Sequence, residues 1–145
     1  MIVVSSCLLG MPCRYDGSGF RRPDIIEILE GRDVLPLCPE QLGGLPTPRT
    51  PCEIVNGVVM GKDGIERTGY FRRGAVLALE AISKFDVTVA LLKEKSPSCG
   101  SSLIYDGSFS GRVTKGRGIF ASALVDMGVT VFSEESLKGL ISFLI

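Results

Sequence analysis

The chain has 145 residues, 45% hydrophobic and 22% charged, with 16 basic and 16 acidic side chains. That length favours one domain, residues 1–145, with a single sizeable core, and the composition excludes a disordered chain. Zero net charge argues against the basic face of a nucleic-acid binder, so no nucleic-acid polymer is expected as a partner.

No apolar run approaches the ~20 residues that span a bilayer. Met1-Ile2-Val3-Val4-Ser5 also lacks the charged start and long apolar segment of a signal peptide. The expectation is a reducing, cytoplasmic setting without a membrane partner. There, five cysteines serve as ligands or catalytic groups rather than as disulfides. The chain has no histidine, which excludes Ser-His and Cys-His pairs and every imidazole zinc site. It has no tryptophan either, which leaves Phe and Tyr as stacking aromatics.

In chain order, Met1–Ser5 is apolar and β-branched and predicts a short buried strand. Ser6 to Gly19 carries Gly, Pro and Asp and predicts a loop. Pro23 opens a helix through Glu30 with Ile25, Ile26, Ile28 and Leu29 as its apolar face, and Gly31 stops it. Asp33–Leu37 is a second strand, with Cys38-Pro39-Glu40 at its end. Gln41 to Pro51 holds too many prolines for a helix and reads as an ordered loop. Asn56-Gly57 between apolar pairs predicts a hairpin over Glu53–Met60, and Lys62-Asp63-Gly64 another turn. Thr68 is placed as the cap of a helix running to about Lys84, with Phe71, Ala75, Ala78, Leu79 and Ile82 inward. Val87–Leu92 is a third strand, and Asp106-Gly107 suggests a turn. Gly116–Met127 reads as a helix that Gly128 ends, and Val129–Phe132 as a fourth strand. Ser133, Glu134 and Glu135 are placed in the opening turn of the last helix.

Short apolar strands separated by helices specify an α/β class. The expectation is a small three-layer sandwich with a mainly parallel four-stranded, Rossmann-like sheet, plus a short hairpin. In such sheets ligands bind beyond the carboxyl ends of the strands. Cys7, Cys38 and Cys99 each follow such an end, so three thiols are expected at one place. Around Cys99 lies the polar stretch Lys93 to Ser102.

Three thiols without histidine favour a soft metal centre, and iron–sulfur clusters are held by cysteine thiolates. Spacing does not choose among readings, because Cys7 and Cys13 form C-x5-C and no C-x-x-C exists. Buried thiols acting as small hydrophobes stay open, as does a redox pair such as Cys7 with Cys13. Packing is the expected role of Cys52. Chemistry without histidine needs another base, and Glu40, two residues past Cys38, is the candidate; its alternative is a solvated loop carboxylate. Ser96 and Ser98 offer hydroxyls beside Cys99, or turn hydrogen bonds next to Pro97. Arg14, Asp16 and Arg49, with Ser98, form the candidate substrate-binding set; the three charged residues equally suit salt bridges between loops. Gly116-Arg117-Gly118 offers an anion site or close helix packing.

Several segments together resemble the thiouracil desulfidase family, once catalogued as a bacterial domain of unknown function. They are Ser5-Ser6-Cys7-Leu8-Leu9-Gly10, Cys13-Arg14-Tyr15-Asp16-Gly17, Cys38-Pro39-Glu40 with Gly43-Gly44-Leu45, Pro48-Arg49, and Ser96-Pro97-Ser98-Cys99-Gly100. The resemblance runs from Val3 to about Gly128. It implies a [4Fe-4S] cluster, easily lost in air, held by three cysteines, with its fourth iron open to the sulfur of a small thiolated base. The implied reaction is a non-redox, hydrolytic desulfuration giving the oxo base and sulfide. Carried over, the ligands are Cys7, Cys38 and Cys99, with Cys13 as a candidate extra; Glu40 is the acid/base group and Ser96 the assisting serine. Cys52 is not expected from the family pattern. The other readings are a non-enzymatic metal- or iron–sulfur-binding module and a metal-free thiol protein.

Overall fold

A computed structural model describes residues 1–145. In chain order its elements are β1 (Ile2–Ser5), a 3-10 turn (Ser6–Leu9), α1 (Pro23–Leu29), β2 (Val34–Leu37) and α2 (Pro39–Leu42). Then come β3 (Cys52–Val55), β4 (Val58–Gly61), α3 (Thr68–Ile82), β5 (Val89–Leu92), β6 (Leu103–Tyr105) and β7 (Val113–Lys115). The chain closes with α4 (Ile119–Asp126), β8 (Thr130–Ser133) and α5 (Leu137–Leu144).

The main sheet has the order β2-β1-β5-β8 and every pairing in it is parallel. Ile2 stands opposite Val34 on one side and Val89 on the other. Strand side chains alternate between faces, and the core divides accordingly. Ile2, Val4, Val89 and Leu91 pack with Leu8, Ile25, Leu29 and Leu140, under α1 and α5. Val3, Ala90 and Leu92 pack with Ala75, Ala78, Ile82, Phe120 and Leu124, under α3 and α4. Strands covered on both faces need apolar residues at every position, and β1 and β5 are buried throughout. This is the expected three-layer α/β sandwich. The chain leaves β1 for β2 on one side and returns to β5 on the other. The winding direction therefore reverses between β1 and β5, where α/β sheets open a crevice.

Several boundaries differ from the expected ones. Two hairpins form rather than one. β3 and β4 pair around Asn56 and Gly57, both at positive φ, as a two-residue hairpin turn requires. The second hairpin pairs Leu103 with Lys115; β7 is exposed at all three positions, so it has no apolar alternation to read. Because Lys115 belongs to β7, α4 begins at Ile119, not Gly116. One helical turn, α2, fills the start of the expected loop, since a proline in a first turn removes only an N–H that the helix does not use. Thr68 caps nothing. Its Oγ1 accepts the Val59 N–H at 2.9 Å and donates to Glu66 at 2.9 Å, tying α3 to the hairpin. β8 runs through Ser133, and α5 starts only at Leu137. Glu134 is thereby released from the helix and turns toward the site.

Candidate active site

Loops at the carboxyl ends of β1, β2 and β5 enclose a cavity of about 360 Å³. All five cysteines line it, and none forms a disulfide. Cys7 sits on the 3-10 turn after β1, Cys38 between β2 and α2, and Cys99 on the loop after β5. The three strand-end thiols therefore meet as expected. Cys13 joins them through a loop that folds back on Cys7, whose carbonyl accepts the Phe20 N–H at 2.7 Å. The Cys13 thiol is close enough to those of Cys38 and Cys7 for each to shift its pKa, and Cys38 Sγ lies 3.8 Å from the Cys13 carbonyl.

These surroundings favour the protonated forms of Cys13, Cys38 and Cys99. For Cys13 a hydrogen bond with Cys38 lowers the pKa, but one with Cys7 and burial raise it, leaving the thiol at about 11. The Cys13 contact and then burial push Cys38 up. Burial pushes Cys99 up to about 12 against opposing hydrogen bonds with Ser5 and Ser98. A metal taken up here displaces those protons. The thiols surround a volume rather than a point, for no three cysteine or carboxylate side chains converge at single-ion spacing. A cluster fits that spread, because each of its metals takes its own thiolate.

Glu40 stands in the first turn of α2, with both oxygens engaged. Oε1 accepts Arg49 Nε at 3.0 Å. Oε2 accepts Ser98 Oγ at 2.8 Å and lies 3.4 Å from Ser96 Oγ. Ser96 Oγ accepts the N–H groups of Ser98 at 3.2 Å and Cys99 at 3.1 Å. A hydroxyl has two lone pairs and one proton, so Ser96 is left as a donor, 2.9 Å from Ser98 Oγ. Ser98 is buried and also lies 3.6 Å from Cys99 Sγ. A line of hydroxyls thus runs from half-buried Ser96 on the cavity wall through Ser98 to the carboxylate.

Arg49 is committed within the protein. Besides Glu40, it donates to the Cys13 carbonyl at 2.7 Å, to Thr47 Oγ1 at 2.8 Å and to the Pro46 carbonyl at 3.3 Å. Its side chain is 5% exposed. It ties the Cys13 loop to Glu40, with four hydrogen bonds from a group that has five to give. Arg14 does line the cavity, 5.4 Å from the Phe20 ring centre. Asp16 does not; it closes its own turn, accepting the Ser18 hydroxyl at 2.6 Å and the Ser18 N–H at 3.0 Å. Those hydrogen bonds hold its carboxyl below the usual range.

The amides at the start of α4 are not free for an anion. Ile119 donates to the Pro97 carbonyl at 2.9 Å, and Phe120 and Ala121 to the Ser98 carbonyl at 2.9 and 3.1 Å. A Cβ at Gly118 would overlap the Ser98 backbone. The glycine exists for this close approach, which clamps the Cys99 loop onto the helix.

Four residues on the exits of β1, β5 and β8 were missed in the sequence. Ser5 Oγ accepts the Lys93 N–H at 2.9 Å. Glu134 accepts Lys93 Nζ and the Glu94 N–H, each at 2.6 Å. Glu94, 3% exposed, turns its carboxylate into the loop that follows Cys99. It accepts the Ser101 N–H at 2.6 Å, the Ser101 hydroxyl at 2.8 Å and both Ser102 donors at 3.2 Å. The available signal was a carboxylate two residues past a fully buried strand with paired serines downstream.

Burial opposes the charged form of Glu94, but the Ser101, Ser102 and Leu103 donors outweigh it, so its carboxyl is held below its ordinary value of 4.5. A depressed pKa stabilises the fold above the unfolded-state value and loses that contribution as pH falls through the folded one. Glu94→Gln is therefore expected to cost about 2–3 kcal/mol at pH 7. The difference from wild type should shrink as pH falls below 4.5. Denaturant unfolding at several pH values measures both. A pH-independent difference would show that the charge is not responsible.

Residues 2–136 match the family model described as 2-thiouracil desulfurase. The chain is 37% identical over 151 residues to "Uncharacterized protein YbbK" of Bacillus subtilis (strain 168), a match covering 97% of this chain and 100% of that one. Among solved structures, the fold matches that of the [4Fe-4S]-dependent thiouracil desulfidase TudS with a TM-score of 0.92 at 45% identity. That match covers 99% of this chain and 96% of the other.

Proposed function

The chain belongs to the 2-thiouracil desulfurase family and is an enzyme that removes sulfur, and from that premise we propose that its cavity hydrolyses the C=S bond of a small thiolated nucleobase such as 2-thiouracil. One water is consumed, C=O replaces C=S, and the sulfur leaves as sulfide; no electrons are exchanged. The observation that carries this reading is the meeting of Cys7, Cys38 and Cys99 beside a carboxylate already hydrogen-bonded to Ser98.

Cys7, Cys38 and Cys99 are the residues that would hold a [4Fe-4S] cluster, with Cys13 adjacent as a fourth thiol. The donor set fits: thiols only, no imidazole, spread around a volume. Such a cluster supplies, when bound, a soft Lewis acid for a thiocarbonyl sulfur. The protein's own groups move the protons. Arg49 holds Glu40 Oε1, which fixes the direction of Oε2. Glu40 takes the proton of the water whose oxygen adds to the ring carbon, then returns it to the departing sulfur. Ser98 orients Glu40. Ser96, limited to donating, turns its one O–H from Ser98 to a heteroatom of the substrate when substrate is bound. Five free thiols in one cavity suit a reducing cytoplasm, and no helix is long and apolar enough to cross a membrane.

Anaerobic reconstitution with iron and sulfide tests the reading. The expected result is a brown protein that releases sulfide from 2-thiouracil and forms uracil. A loaded protein that turns over no thiolated base would instead be a non-enzymatic cluster module, and one that takes up no iron would be a metal-free thiol protein.

A further inference from the structure

The loop between β6 and β7 overhangs the same cavity and carries an aromatic residue in an unusual backbone state. Phe109 lines the cavity and has a φ of 55°. A left-handed φ is disfavoured for a bulky side chain and persists only where the surroundings enforce it. Here they do. Glu53, from β3, uses Oε1 to accept the N–H groups of Gly107 at 2.9 Å and Phe109 at 3.1 Å. Asp106 Oδ1 accepts the Ser108 N–H at 2.9 Å, and the Asp106 N–H donates to the Arg112 carbonyl at 3.0 Å. Gly107 lies against Val55 so closely that a Cβ would overlap that side chain.

This fixation serves no core, since Phe109 belongs to none of the three buried apolar clusters. Its ring is half-buried on the cavity wall. Two tyrosines also line the cavity, Tyr105 on β6 and Tyr15, the latter 43% exposed. Only Phe109 sits on a loop whose hydrogen bonds hold an aromatic residue in a disfavoured conformation.

We propose that Phe109 is the stacking wall for the planar ring of the substrate, and that Glu53 is a positioning residue that holds it there. The inference rests on the desulfidase reading and specifies how that site selects its substrate. An apolar ring face selects a planar heterocycle over an acyclic thioamide. It tolerates changes at the ring edge, because stacking reads the π-face and not the donors.

The test compares cluster-loaded wild type with Phe109→Ala, Phe109→Leu, Phe109→Tyr and Glu53→Gln. Uracil binding is followed by ligand-observed NMR titration, and sulfide release is measured from 2-thiouracil and from thioacetamide. The alanine and leucine variants are expected to bind uracil about tenfold more weakly and to lose kcat/KM for 2-thiouracil by a similar factor. Tyrosine should restore both, Glu53→Gln should fall between, and any loss on thioacetamide should be smaller than the loss on 2-thiouracil. Unchanged uracil binding in the alanine and leucine variants overturns the stacking wall, as does an equal loss on thioacetamide. Wild-type protein that releases no sulfide from either compound overturns the desulfidase reading itself, a separate result.

Discussion

Serine in place of Cys7, Cys38 or Cys99 is expected to lower iron and acid-labile sulfide content by about tenfold or more, and to remove 2-thiouracil desulfuration with it. The substitution keeps the shape of the side chain and removes the soft, ionisable donor. An alcohol does not give up its proton to iron as a thiol does. Serine at Cys13 or Cys52 should leave most of the cluster, because neither follows an end of the parallel sheet. Visible absorbance and metal analysis of anaerobically loaded protein read the outcome. Thermal unfolding before loading provides the control. Cys99 and Cys7 are buried in the two apolar clusters that flank the sheet, so a hydroxyl at either costs about 1–2 kcal/mol; Cys38 is only partly buried and should cost less. Full cluster content in all three strand-end variants would show that other residues hold the metal.

Glu40→Gln is expected to reduce kcat for 2-thiouracil by about 10²–10⁴ with little change in KM or cluster content. The amide has the shape of the carboxylate and accepts the Ser98 hydroxyl, but it cannot take a proton from water. It also leaves the nearly buried Arg49 without its counter-charge. Removing one member of a buried pair costs about 3 kcal/mol, most of it from the charge left behind. The same measurement therefore needs Glu40→Gln combined with Arg49→Gln. The double variant should recover much of the lost stability in denaturant unfolding and none of the lost kcat. Activity that returned with stability would mean that Glu40 acts only as the counter-charge of Arg49 and moves no proton.

What distinguishes this site from a surface cluster of thiols is how firmly its loops are held. The Cys99 loop is clamped onto α4 through Pro97 and Ser98, filled from inside by Glu94, and tied to β8 by Glu134. The Cys13 loop is held by Arg49. Loops that follow three separate strand ends need this support, because strand ends alone leave them free to splay.

The parts of the fold that depend on near neighbours along the chain were legible before any tertiary contact was known. Short continuous apolar runs placed β1, β2, β5 and β8; Asn56-Gly57 marked its hairpin; Gly31 ended its helix. The thiols at Cys7, Cys38 and Cys99 were legible because a cysteine just past a buried parallel strand has one place to be. Glu40 followed from its distance of two residues from Cys38, and the family resemblance supplied the cluster and the reaction. Which polar groups face one another depends on how distant segments pack. Ser5 meets Lys93, Glu94 meets Glu134, and Glu40 meets Ser98 across separations of 88, 40 and 58 residues. Local periodicity carries no information about such partners, since each is chosen by how two layers pack. That is why Arg49 proved to be tied to Glu40 and the Cys13 carbonyl, Asp16 closed its own turn, and Phe109 emerged on the cavity wall from a loop the sequence had marked only as a turn.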